Sequence, residues 1–112
     1  MDKKVYAWLY DMLNAMVEIE SFFEDKTVEF EIYERDLKTK RAVERNIEII
    51  GEAMNRVLQV EPHILLSNAR QIVDTRNRII HGYDSVSDEI MWSIVFQHLP
   101  VLKSEVEILL GE

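Results

Sequence analysis

The chain has 112 residues, with 13 Lys and Arg against 21 Asp and Glu, a formal net charge of −8 and no cysteine. That length suits one hydrophobic core and leaves no room for a second. Without cysteine there is no disulfide framework and no thiolate metal site, and redox chemistry through the protein's own thiols is excluded.

Apolar residues recur at helical spacing almost throughout. Val5, Trp8, Leu9, Met12, Leu13, Met16, Ile19 and Phe23 form one broad stripe and predict a helix over about residues 3–24. Asp25-Lys26 interrupts it, and Thr27 is placed to cap a short helical segment carrying Val28, Phe30 and Tyr33. Asp36 is then placed to cap a long helix reaching about Leu58, whose apolar face is Val43, Ile47, Ile50, Met54 and Val57. Pro62 and His63 fall in the next connection. Asn68 is placed to cap a helix carrying Ile72, Val73, Ile79 and Ile80, and Gly82 to end it. Ser87, with Asp88 and Glu89 in the first turn, caps and charge-matches a last helix whose stripe is Ile90, Ile94, Val95, Val101, Leu102, Val106 and Leu109. Pro100 is expected to kink that helix.

No alternating strand pattern competes, so the expected fold is all-α, an antiparallel bundle of four main helices plus a short helical segment. Trp8, Trp92 and the five methionines stand at helical spacing and are expected in its core. No apolar run reaches membrane-spanning length, and Met-Asp-Lys-Lys leads straight into the first amphipathic stripe without signal-peptide features. A cytoplasmic protein with no membrane contact is the expectation.

The acidity is uneven. Residues 35–45 and 70–81 together hold eight Lys and Arg against three acids, so a basic surface on an acidic body arises if these two stretches lie side by side. Gly51 stands in the middle of the second long helix, where glycine costs about 1 kcal/mol relative to alanine. Close approach of another backbone, that of residues 70–82, would account for it and would bring Asn46 and Glu48 within reach. Glu48 and Glu52 share a helix face, but with no histidine at matching spacing they are expected to pair with Arg45, Arg56 or Arg78 rather than hold a metal.

The stretch Arg76-Asn77-Arg78-Ile79-Ile80-His81-Gly82-Tyr83 concentrates the chemistry. Cutting RNA without a metal takes a base for the 2′-hydroxyl, an acid for the leaving 5′-oxygen and cationic donors around the phosphorane. Histidine serves either proton-transfer role near neutral pH, and arginine offers a permanently charged fork matched to phosphate oxygens. His81 and Arg76 are therefore the candidate catalytic residues, supported by Arg78 and by Asn77, which can hold a hydrogen bond to the histidine or the substrate. Five residues on an ideal helix turn about 500°, leaving Arg76 and His81 about 140° apart. Either the helix ends near His81 or the site is assembled from two chains. A two-fold dimer would supply two copies of each residue near its axis.

The pattern Arg-x4-His-x-Tyr, with Arg45-Asn46-Ile47-Glu48-Ile49-Ile50-Gly51-Glu52-Ala53 before it and Val86-Ser87-Asp88-Glu89-Ile90-Met91-Trp92 and Leu99-Pro100 after it, resembles the HepT-like ribonuclease toxins of the HEPN superfamily. The resemblance covers most of the chain and implies a single HEPN/HepT-like domain over residues 1–112. It implies a metal-independent endoribonuclease toxin with no cofactor, a composite site in the cleft of a homodimer, and an RNA substrate. It further implies a minimal nucleotidyltransferase antitoxin, which in some family members adenylylates the tyrosine of the motif, here Tyr83. Arg45, Asn46 and Glu48 are the candidates for supporting the site from the second long helix. The other reading is a non-catalytic helical dimer that docks a nucleotidyltransferase or binds a nucleotide. The intact arginine, polar residue and histidine favour the enzyme.

Overall fold

Asp2 starts the first helix by accepting a hydrogen bond from the Lys4 amide at 2.8 Å, and the apolar stripe then carries α1 (Lys3–Ser21). A computed structural model describes residues 1–24, 28–82 and 86–111 of the chain. α1 stops short of residue 24 because Phe23 leaves the helix to pack edge-on against Phe96, with ring centroids 5.1 Å apart. Glu29 precedes α2 (Phe30–Arg35) without a side-chain capping bond, and the expected cap, Thr27, lies outside the described residues.

Asp36 caps α3 (Leu37–Val60) as its position predicts: its carboxylate accepts from the Thr39 amide at 3.1 Å and the Thr39 hydroxyl at 2.6 Å. Val43, Ile47, Ile50, Met54 and Val57 are each 0% exposed, so the long amphipathic face lies wholly inside. α3 is the central helix, flanked by α1 on one side and α4 (Ala69–His81) on the other. Asn68 stands before α4 but does not cap it. Its backbone is left-handed, at φ 60°, and its side chain makes no capping bond. The connection is held instead by Glu105, which accepts from the Ser67 amide at 2.8 Å and the Ser67 hydroxyl at 2.7 Å.

Ser87 caps α5 (Asp88–Ser93) by accepting from the Ile90 amide at 3.2 Å. A π turn (Ile94–His98) joins α5 to α6 (Leu99–Leu110), closed by the Leu99 amide donating to the Ile94 carbonyl. Pro100 explains the wide turn. It has no N–H to give, and its ring would strike the Phe96 carbonyl in a regular helix, so the ladder opens by one residue ahead of it.

The resulting slab measures 41 × 33 × 18 Å, about two helix diameters thick. Its fold is an all-α, HEPN-like bundle. Among the described residues no helix is long and apolar enough to cross a membrane. Four of the five methionines are in the core, while Met1 is exposed. One corner is an aromatic cluster of Phe23, Phe30, Tyr33, Trp92 and Phe96, in which the Trp92 and Phe96 centroids are 4.3 Å apart. Lys40 and Asp88 close it with a half-buried ion pair at 3.2 Å. Burial foremost, then the Asp88 and Glu44 carboxylates, hold the Tyr33 phenol well above its ordinary value of 10.0.

Replacing Asp36 by Ala should lower unfolding free energy by about 1 kcal/mol, read from urea titrations, because a half-buried cap is lost. Tyr33 gives a pH prediction. Folding favours its neutral form, so the stabilisation is complete below pH 10.0 and is lost as pH rises above it. Tyrosinate absorbance should show one ring titrating only as helicity disappears. In Tyr33→Phe that late step should vanish and helicity should persist to higher pH.

Candidate active site

The inward face of α4 is Ile72, Val73 and Thr75, all buried, with Ile79 packed at the edge of the core. Arg76 occupies this face at a position where helical spacing calls for an apolar residue. It fits because of what lies opposite. A β-carbon placed on Gly51 of α3 would fall on the Arg76 Cβ, 2.8 Å from its Cγ and 3.2 Å from the Ile72 carbonyl oxygen. The mid-helix glycine therefore marks a close approach of α3 and α4, as its cost in the sequence suggests. The arginine's aliphatic stem fills the space.

Arg76 as a whole is half-buried, and the Nη1 of its guanidinium donates to Asn77 Oδ1 at 2.9 Å. Asn77 thus serves Arg76 in this structure. Arg78 is exposed. His81 is the last residue of α4 and is also exposed, while the Gly82 amide closes the helix on the Arg78 carbonyl at 3.1 Å from a left-handed φ of 63°. α4 consequently runs unbroken from Arg76 through His81, so the two stay about 140° apart around its axis. Tyr83 lies outside the described residues.

The α3 candidates divide. Arg45 is exposed and donates to Glu48 at 3.2 Å, and Arg56 donates to Glu52 at 3.0 Å, so both acids are charge partners as expected. Arg45 also lines a recess of about 260 Å³ between α3 and α1, with Trp8 and Ile49. That recess is turned away from Arg76: residues 45 and 49 are about 120–160° around α3 from Gly51. Asn46 is 3% exposed and spends its amide N–H on the Ala42 carbonyl at 3.0 Å, leaving its buried Oδ1 without a hydrogen bond. His63 is exposed and His98 is half-buried in the π turn.

The antiparallel register, fixed by Gly51 against Ile72 and Arg76, sets the middle of α3, about residues 44–50, beside the last turns of α4. The start of α3, with Lys38, Lys40 and Arg41, runs on past the end of α4 toward α2 and α5, so the two Lys- and Arg-rich stretches approach each other only around Arg45. Much of the positive charge on α3 is also matched locally, by Lys40 with Asp88, Arg41 with Glu44 at 2.8 Å, and Arg45 with Glu48.

The relatives of the chain carry names of one kind. It is 34% identical to "Putative RNase MJ0127" of Methanocaldococcus jannaschii over 94% of its own length and 86% of that protein's. It is 33% identical to "Probable ribonuclease HepT" of Thermococcus cleftensis over 89% of its length and 90% of that protein's. It is 32% identical to "Putative RNase MJ1380", also of M. jannaschii, over 95% and 96% of the two lengths. No solved structure gives a significant match. The family profile described as "Ribonuclease HepT-like" matches residues 12–109, which takes in α3, the Gly51 contact and the whole Arg76-to-His81 segment. By the length of that match the chain belongs to the HepT-like ribonuclease family.

Proposed function

We propose that the protein is a metal-independent endoribonuclease toxin that cuts RNA in a cleft between two copies of itself. The observation that carries this reading is the course of α4 through His81, which holds the half-buried arginine and the exposed histidine on different faces of one helix. A second copy related by a two-fold axis supplies the counterpart of each. One His81 takes the 2′-hydroxyl proton, the alkoxide attacks phosphorus, and the other His81 gives a proton to the departing 5′-oxygen. Arg76 holds the phosphorane oxygens through its planar fork, with Arg78 adding charge at the rim. The product ends are a 2′,3′-cyclic phosphate and a 5′-hydroxyl.

A minimal nucleotidyltransferase is the proposed antitoxin, acting on Tyr83. An adenylate attached there would bring a negative phosphate to the place where the substrate phosphate must sit. This regulation is drawn from the family and from the two-residue spacing between His81 and Tyr83.

Light scattering at micromolar concentration should give the mass of a dimer; a monomer would remove the composite site. Purified protein should cleave RNA in the presence of a chelator and leave a cyclic-phosphate end. Arg76→Ala and His81→Ala should each lose about 10²–10³ in rate with helicity intact. A His81→Ala protein that cuts at the parent rate would place the activity elsewhere. Incubated with the nucleotidyltransferase and ATP, the parent should gain adenylate mass and Tyr83→Phe should not. Equal labelling of both would take Tyr83 out of the regulation and favour steric blocking by the bound partner.

A further inference from the structure

We infer that Gly51 is a positioning residue for RNA cleavage, seating the stem of Arg76 so that its guanidinium leaves α4 along one fixed path, which Asn77 then secures at the far end. This rests on the reading of Arg76 as the phosphate donor, and adds to it a residue on another helix. Three features carry it. The first is which atoms meet: a side chain at 51 would strike Arg76 itself, at Cβ and at Cγ 2.8 Å away, ahead of any other group. The second is that the clash has no soft exit. The Arg76 Cβ moves only with its backbone, and the Ile72 carbonyl oxygen 3.2 Å away is backbone too, so a methyl group at 51 displaces α4 or redirects the arginine.

The third feature is the 2.9 Å bond from Arg76 Nη1 to Asn77 Oδ1. Neighbouring residues on a helix do not face each other, so this bond forms only when the arginine chain bends sideways across the helix surface. Gly51 fixes where the chain starts and Asn77 fixes where it ends. A long side chain with several free torsions is thereby held in one orientation before substrate arrives. Displacements on the order of 1 Å in such a donor cost about 10² in rate.

The test is a double-mutant cycle on the full-length protein, reading kcat, KM and melting temperature. Gly51→Ala should lower kcat by about 10² with KM little changed. Asn77→Ala, which adds a good helix former, should lower kcat roughly tenfold, the cost of about one hydrogen bond. Added to Arg76→Gly, which removes both the β-carbon that a methyl at 51 would strike and the guanidinium that Asn77 holds, neither should reduce the residual rate further. If Gly51→Ala does not fold, Gly51→Ala/Arg76→Gly, which removes the β-carbon it strikes, should recover helicity; failure to do so would overturn the seat.

Outcomes that sink the inference are distinct from those that sink the functional reading. If Arg76→Ala cleaves like the parent, the functional reading falls and this inference falls with it. If Arg76→Ala is impaired but Gly51→Ala keeps the parent kcat, the inference falls alone. It also falls if Gly51→Ala reduces the Arg76→Gly rate further, because the glycine would then be supporting His81 or the packing of α4 at large.

Discussion

The bundle is organised around one contact, the backbone of α3 at Gly51 against the stem of Arg76 and the Ile72 carbonyl. α3 is buried along its whole apolar face, with Ile47, Ile50 and Met54 fully enclosed, so it cannot shift to relieve a crowded neighbour. α4 must adapt to α3, and it does so at the one residue without a side chain. The same contact sets the register of the pair. It therefore decides that the middle of α3, about residues 44–50, lies beside the end of α4 where Arg76, Arg78 and His81 stand.

A net charge of −8 is compatible with an RNA-cutting site only if charge is sorted locally. The arginines of α3 are held by their own helix: Arg41 by Glu44, Arg45 by Glu48 and Arg56 by Glu52, all as exposed pairs. Such pairs contribute only about 0–1 kcal/mol each, so their effect is on the field more than on stability. They mute the positive charge along α3. The end of α4 adds a further bias, since the carbonyls of a helix C-terminus carry about half a negative charge and disfavour an approaching phosphate. Arginines must outweigh that locally, and Arg76 and Arg78 are the two within the last turns of α4.

What could be read from the sequence was set by short-range chemistry. Asp36, Ser87 and Gly82 behave as their types and positions predict, because a cap depends on residues within one turn. The stripe of α3 was legible for the same reason, its period recording a single buried face. Asn68 fails as a cap because its left-handed backbone carries the side chain away, in a loop anchored from a distance by Glu105. α1 ends early because Phe23 answers to Phe96, more than seventy residues along the chain. At the site, the mid-helix glycine announced a close approach. Which residue filled that approach depends on the register of two helices, and no local pattern encodes it. The bond from Arg76 to Asn77 and the turn of Asn46 onto Ala42 are local, but each is a choice among rotamers that the packing around it makes.

The two candidate catalytic residues differ in how the fold treats them, and the difference matches their proposed tasks. Arg76 is half-buried, seated on α3 and tied to Asn77. A donor that stabilises charge in a transition state gains from being fixed beforehand, because no reorganisation then opposes the reaction. His81 is exposed at the terminal turn, and Gly82 ends the helix immediately after it. In the proposed mechanism one of the two copies gives a proton to the departing 5′-oxygen. Its counterpart must act as base from the same position in the sequence. A symmetric pair can hold a single proton between its two copies, and in the proposed mechanism bound substrate decides which copy gives it: one histidine faces the 2′-hydroxyl and the other the 5′-oxygen. On this account the asymmetry needed for acid–base catalysis is supplied by the RNA strand's own polarity, and a symmetric protein dimer has no need to encode it.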